Sequence, residues 1–171
     1  SDFKITPEQL KAAITDKTRA LILCNPSNPT GSVYTKAELE AIGQVVIEND
    51  LYVVSDEIYS RLVYDNFEYT SFPSLSAELR KRTILIEGVS KSYSMTGWRI
   101  GFAAADKDLI SGMGKLQSQI TSNPTSISQY AALEAISGPQ DDVEEMRKTF
   151  AERREFLFNA LNKIEGVKTA N

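Results

Sequence analysis

Short, continuously apolar runs alternate with amphipathic stretches along the first hundred residues. The apolar runs lie at 20–24, 51–54 and 83–87 and are too short for helices, so they predict buried strands. We expect the first run to be buried on both faces of a sheet. One helix is predicted before the first run and one between the first two runs, because Thr6 with Gln9 and Thr35 with Glu38 have the spacing of capping boxes.

The second half of the chain predicts one more strand and three helices. The strand occupies about 100–105, and its connection to the strand at 83–87 is too short for a parallel crossover, so we expect it to run antiparallel. Asp106 is predicted to cap the first of these helices, Pro124 to start the second, and the third to run from about Asp141 to Glu165. The order of elements predicts an α/β fold with a mainly parallel sheet, one antiparallel strand, and helices packed on the sheet.

The composition excludes several classes of partner and of chemistry. The net charge of −4 over 171 residues gives no sign of a basic surface, so we expect no nucleic-acid partner. No apolar run approaches the ~20 residues of a membrane span, so we expect no membrane partner. Cys24, the single cysteine, lies in an apolar run and is interpreted as a small buried hydrophobe; it predicts a reducing, cytoplasmic location. Because the sequence has no histidine, proton transfer must use Lys, Asp, Glu, Tyr or Cys.

Polar side chains follow each predicted strand at its carboxyl end, where open α/β sheets bind ligands. Asn28 follows the first strand, Asp56 and Tyr59 the second, and Lys91 the third, while Arg99 begins the antiparallel strand at the same edge. Singly, each has an ordinary interpretation as a turn former, a cap or a surface charge. Convergence of all five on one rim predicts a binding site.

The chemistry of these groups indicates one ligand. A lysine amine forms a Schiff base with an aldehyde, and a carboxylate holds a pyridine nitrogen protonated. Tyrosine and asparagine donate hydrogen bonds to a phenolate-type oxygen, and arginine binds phosphate through a two-pronged contact. Aldehyde, ring nitrogen, ring oxygen and phosphate together describe pyridoxal 5′-phosphate.

Three motifs then resemble a known family. The segments NPSNPTG at 25–31, SDEIY at 55–59 and GVSKSYSMTGWRIGF at 88–102 are similar to the ordered signatures of fold-type-I pyridoxal-phosphate enzymes. The resemblance is to the class-I aminotransferases of the aspartate aminotransferase group. It implies a three-layer large domain that binds the cofactor over 1–166, and the truncated start of a C-terminal small domain at 167–171.

The resemblance also implies a role for each residue on the rim. Lys91 would form the Schiff base and later carry the proton between the substrate α-carbon and the cofactor. Asp56 would pair with the ring nitrogen. Asn28 and Tyr59 would hydrogen-bond the ring oxygen, and Asn28 would also contact the substrate carboxylate.

The phosphate group is assigned to Arg99 with the help of Ser90. Many members of the family carry a serine three residues before the lysine as a phosphate ligand. This sequence has Gly88 at that position, so Ser90 is the substitute.

The activity implied by the resemblance is transfer of an amino group between an L-amino acid, aspartate first, and a 2-oxo acid, in a homodimer. Three alternatives remain at this point: a carbon–sulfur lyase of the same fold, an aminotransferase-like regulatory domain, and an inactive fragment. The family's Gly-rich phosphate loop, its ring-stacking aromatic and its arginine for the substrate carboxylate match nothing in this sequence. We therefore expect a piece of a larger enzyme that is inactive in isolation.

Overall fold

The computed structural model describes residues 3–169, and a four-stranded sheet lies at their centre. The strand order is β1-β2-β3-β4, with β1 to β3 parallel and β4 antiparallel to β3. The strands are β1 Ala20–Cys24, β2 Tyr52–Asp56, β3 Thr83–Gly88 and β4 Gly101–Ala104. The predicted α/β class with one antiparallel strand is confirmed.

Seven α-helices accompany the sheet within residues 3–169. They are α1 Pro7–Ala13, α2 Lys36–Glu48, α3 Ala77–Arg82, α4 Val89–Ser92, α5 Lys107–Ile120, α6 Ser126–Ser137 and α7 Asp141–Leu161. Short 3-10 turns lie at Phe72–Ser74 and Thr96–Trp98. Among these residues, no helix combines the length and the apolar character needed to cross a lipid bilayer.

Side-chain capping explains where α1, α2, α3 and α5 begin. Both predicted capping boxes form, since Thr6 accepts from the Gln9 N–H and Thr35 from the Glu38 N–H. The prediction for α7 was too long, because the helix ends at Leu161 rather than at Glu165. The Asn162 side chain donates to the Phe158 carbonyl oxygen at 2.8 Å, which satisfies an orphan carbonyl at the new end.

The main core lies between one face of the sheet and helices α1 to α3. Its side chains are almost fully buried, and they include Leu10, Leu23, Leu39, Ile42, Val45, Val46, Val53 and Leu79. Gly43 of α2 allows the close approach of α3, because a Cβ at this position would lie 2.6 Å from Leu79 Cδ1. This packing holds β1 and β2 firmly and so fixes the start of the turns that follow them.

The opposite face of the sheet is largely uncovered within the described residues. Ile22 of β1 is 77% exposed and Tyr52 of β2 is 48% exposed. The prediction that the first strand is buried on both faces was therefore wrong for this part of the protein, because no described helix covers Ile22. Cys24 is half-buried rather than buried, and its thiol is free.

The C-terminal helices α5 to α7 share this exposure. They keep large apolar side chains on the surface of the described part: Leu116, Ile120, Ile127, Tyr130, Leu133, Phe156 and Leu157. The predicted division between residues 166 and 167 stays a prediction, and residues 170–171 lie outside the described range.

Candidate active site

The carboxyl ends of the three parallel strands lie side by side. Cys24 of β1 is the register partner of Asp56 of β2, and Asp56 is in turn the partner of Ile86 of β3. The turns carrying Asn28, Tyr59 and the segment after β3 therefore leave the sheet from one edge. The sequence predicted that these turns share one edge, and the use of that edge as a binding site stays a prediction.

Asn28, Tyr59 and Lys91 form a chain of contacts at that edge. Asn28 Nδ2 donates to the Tyr59 hydroxyl oxygen at 2.9 Å. Lys91 Nζ lies 5.9 Å from the centroid of the Tyr59 ring. Within residues 3–169, no carboxylate or hydrogen-bond acceptor contacts the half-buried Lys91 amine. The structure thus brings together a free amine, a phenol and an amide.

Asp56 lies on the open face of the sheet, next to this group. Val53 and Ser55 point to the covered face, and the alternation of a strand places Asp56 opposite to them. Asp56 Oδ1 accepts from the Ile58 N–H at 3.2 Å, so one oxygen starts the turn that leads to Tyr59. Its other oxygen has no hydrogen-bond partner among residues 3–169 and can accept from a ligand.

Ser90 and Arg99 line one open concavity of about 480 Å³. The sequence predicted that Arg99 begins the antiparallel strand. This prediction was wrong, because β4 starts at Gly101. Arg99 instead adopts a left-handed backbone, with φ 51°, and its Nη1 donates to the Thr96 carbonyl oxygen at 3.1 Å. The tight turn, rather than strand pairing, thus sets the position of this guanidinium.

Gly88 is required by the close approach of β3 and β4. A Cβ at this position would lie 3.2 Å from the Gly101 Cα and 3.2 Å from Ile58 Cδ1. A serine at position 88 would therefore displace its neighbours. Ser90, which lines the same concavity as Arg99, supplies a hydroxyl beside it instead.

Sequence reasoning missed Glu57, which is only 2% exposed. Its Oε1 accepts from Ser55 Oγ at 2.8 Å and from the Phe72 N–H at 2.9 Å. Its Oε2 accepts from the Tyr69 hydroxyl at 2.7 Å, and burial raises the pKa of that hydroxyl. The available signal was strand alternation, which puts Glu57 on the face opposite to Asp56.

Tyr69 joins this buried cluster to the NPSNPTG loop. Its hydroxyl also lies 3.1 Å from the Asn25 carbonyl oxygen, 44 positions away in the chain. Asn25 Oδ1 in turn accepts from the Tyr34 N–H at 3.0 Å. The loop that presents Asn28 is therefore anchored from behind the sheet.

A second carboxyl that sequence reasoning missed is Glu87. Its Oε2 accepts from Ser60 Oγ at 2.6 Å and its Oε1 accepts from the Gly88 N–H at 3.1 Å. Burial raises the pKa of Glu87, and the negative charge of Glu57 adds to the effect. The two hydrogen bonds and the positive charge of Arg61 act in the opposite direction.

All 171 residues of the chain match the family described as aminotransferase class I and II. The chain belongs to this family. Among its aminotransferase relatives, the aspartate aminotransferase of Bacillus sp. strain YM-2 is 56% identical over 167 residues, which cover 98% of this chain and 43% of that protein. The asparagine–oxo-acid transaminase of Streptococcus mutans is 50% identical over 164 residues, covering 96% of this chain and 42% of that protein.

Solved aminotransferase structures superpose closely on the chain. The aspartate aminotransferase of Rhizobium meliloti has a TM-score of 0.93 and 41% identity, and the match covers 98% of this chain and 44% of that one. The aromatic aminotransferase of Pyrococcus horikoshii has a TM-score of 0.90 and 43% identity, covering 95% and 44%. The chain thus spans less than half the length of these relatives. The resemblance based on the three motifs is confirmed.

Proposed function

We propose that the protein containing this chain transfers an amino group between an L-amino acid and a 2-oxo acid, with pyridoxal 5′-phosphate as its cofactor. The proposal rests on the contacts that link Asn28, Tyr59 and Lys91 at the carboxyl edge of the parallel strands. Family membership over the whole chain supports it.

The donor set at the rim fits this cofactor. The Lys91 amine has no ion-pair partner among residues 3–169 and would hold the aldehyde carbon. The unbonded oxygen of Asp56 would accept from the protonated ring nitrogen. Tyr59 and Asn28 would donate to the ring oxygen, because both lie within one hydrogen-bonded unit beside the lysine.

The phosphate would be held by Arg99 and Ser90. Both line the same concavity, and guanidinium and hydroxyl groups are suitable donors to phosphate oxygens. Glu87 also lines this concavity, but Ser60 and the Gly88 N–H occupy its oxygens. The Glu87 carboxylate is therefore directed towards Ser60 and the Gly88 N–H rather than towards the phosphate.

The chain's own residues would then act on the substrate. When bound, the cofactor supplies an electron-poor ring that takes up the electrons left at the substrate α-carbon. The Lys91 amine accepts the α-proton and later returns it, which suits an amine that no carboxylate holds in place. Asp56 keeps the ring nitrogen protonated, and Asn28 orients the substrate carboxylate.

Aspartate is the first substrate we propose. Several relatives are named aspartate aminotransferase, while others of similar identity are named for asparagine or aromatic substrates. We therefore propose that the side-chain preference is set largely by residues outside this chain. The aminotransferase and transaminase names favour amino transfer over carbon–sulfur cleavage and over a regulatory role.

A product assay on the whole protein tests the proposal. Aspartate and 2-oxoglutarate should give oxaloacetate and glutamate in equal amounts. If aspartate gives no products but another amino acid does, the proposed substrate is wrong and the proposed reaction stands. Release of ammonia and a thiol from a sulfur amino acid, without amino transfer, would overturn the proposal in favour of a lyase.

We also propose that the whole protein is a cytoplasmic homodimer. The free thiol of Cys24 fits a reducing compartment. The proposal of a homodimer rests on what is expected of the family. Light scattering on the whole protein should return twice the mass of one chain.

A further inference from the structure

Glu87 connects two segments that are distant in the sequence. Its Oε2 accepts from Ser60 Oγ at 2.6 Å across 27 positions, and its Oε1 accepts from the Gly88 N–H at 3.1 Å. Both carboxyl oxygens are therefore engaged, and the side chain is half-buried. A half-buried carboxyl with two hydrogen bonds of this kind restrains both partners.

Each of the two segments carries a residue of the proposed site. Ser60 directly follows Tyr59, and Gly88 directly precedes helix α4, which carries Lys91. The Ser60–Glu87 hydrogen bond therefore bridges the segment that carries Tyr59 and the segment that carries Lys91. Asn28 contacts the Tyr59 hydroxyl directly, and the Ser60–Glu87 hydrogen bond restrains the next residue of the same turn.

We propose that Glu87 is a positioning residue that fixes the Tyr59 ring relative to the Lys91 amine. The proposal deepens the function proposed above and rests on it. Positioning requires the two hydrogen bonds rather than the negative charge of Glu87. The charged groups around the carboxyl are Glu57 and Arg61, which act on it electrostatically, and Arg99, which lines the same concavity.

The test compares four variants of the whole protein. Glu87→Ala removes both contacts, and Ser60→Ala removes only the bridge between the segments. Glu87→Gln keeps an oxygen for the Gly88 N–H and an amide that can donate to Ser60 Oγ. It therefore retains both hydrogen bonds without the negative charge. Glu40→Ala is the matched control, because Glu40 is an exposed carboxylate on α2.

Two readouts separate positioning from a general loss of stability. The first is amide hydrogen exchange of segments 57–62 and 86–93 in the cofactor-free protein. The second is the pH at which the visible absorption of the lysine-linked cofactor changes. If Tyr59 moves away, the ring oxygen keeps more negative charge beside the Lys91 nitrogen, which then holds its proton to a higher pH.

We expect Glu87→Ala and Ser60→Ala to speed exchange in both segments and to raise the absorption midpoint by about 0.5 pH units or more. Glu87→Gln and Glu40→Ala should match the wild type. The proposal is overturned if Ser60→Ala leaves both readouts unchanged, or if Glu87→Gln shifts the midpoint as far as Glu87→Ala does. If the wild type shows no lysine-linked absorption, the proposed function fails. The exchange data still decide whether the Glu87 hydrogen bonds restrain the two segments.

Discussion

Asn28 Nδ2 lies 2.9 Å from the Tyr59 hydroxyl oxygen, although 31 positions separate the two residues in the chain. The hydrogen bond joins the loop after β1 to the turn after β2. It can form because the two strands are parallel neighbours whose carboxyl ends share one edge. The proposed site is thus assembled by sheet topology before any ligand is considered.

A double-mutant cycle measures this contact. Tyr59→Phe and Asn28→Ala each remove one partner, so the loss of cofactor affinity in the double variant should be smaller than the sum of the single losses. A neutral hydrogen bond is worth about 0.5–1.5 kcal/mol, and we expect a coupling energy in that range. Additive losses, measured by fluorescence titration of the whole protein, would show that the two residues act independently.

Lys91→Ala should abolish covalent attachment of the cofactor and reduce turnover by at least about 100-fold, because a positioned acid–base group contributes ~10²–10⁴-fold. Borohydride reduction followed by peptide mass spectrometry measures attachment directly. Lys115→Ala is the control, since this lysine is exposed on α5. Turnover at the wild-type rate in Lys91→Ala would remove the residue from the mechanism.

Glu57→Ala should destabilise the whole protein by about 3 kcal/mol or more, because it leaves the buried donors around Glu57 without an acceptor. Urea unfolding provides the measurement. Glu68→Ala is a matched control, because Glu68 is an exposed carboxylate close by in the chain, and it should change stability by less than about 0.5 kcal/mol. Equal effects of the two substitutions would contradict the structural role of Glu57.

Gly88→Ser should destabilise the protein by about 1–3 kcal/mol, the usual cost of an overpacked site. The added atoms would press on Gly101 and Ile58 at the junction of β3 and β4. Gly97→Ser is the control, because no atom lies within 4 Å of a Cβ at that position. A thermal midpoint for Gly88→Ser equal to that of the control would show that the strands can separate at no cost.

Glu87 should make the stability depend on pH in a defined direction. Burial raises its pKa from the ordinary value of 4.5, so the folded state favours the protonated carboxyl. Its contribution to stability is therefore fully present below that ordinary value and is lost as the pH rises through the raised pKa. The free energy of unfolding of the wild type, relative to that of Glu87→Gln, should fall as the pH rises from 4.5 through the raised pKa of Glu87. A rise over this pH range would contradict a raised pKa for Glu87.

Local pattern was sufficient to predict most of the elements and the location of the rim. Continuous apolar runs marked β1 to β3, and the short connection after β3 required the antiparallel β4. The turn formers and polar residues after these strands marked the carboxyl edge. These features are encoded in neighbouring residues, so the sequence alone carries them.

Features that depend on distant partners could not be predicted in the same way. The exposure of Ile22 depends on what covers the second face of the sheet, which a run of apolar letters does not specify. The left-handed backbone of Arg99 depends on the turn geometry before β4. The burial of Glu57 depends on donors that lie up to 15 positions away.

Asp56 ends β2 and Glu57 directly follows it, and the strand alternation continued over this one residue places the two chemically similar side chains on opposite sides of the sheet. One carboxylate meets the proposed ligand and the other is enclosed by its own donors. An insertion or deletion of a single residue within β2 would exchange these two environments and leave both acids misplaced. The length of this strand should therefore be far less tolerant of indels than the irregular stretch that follows it.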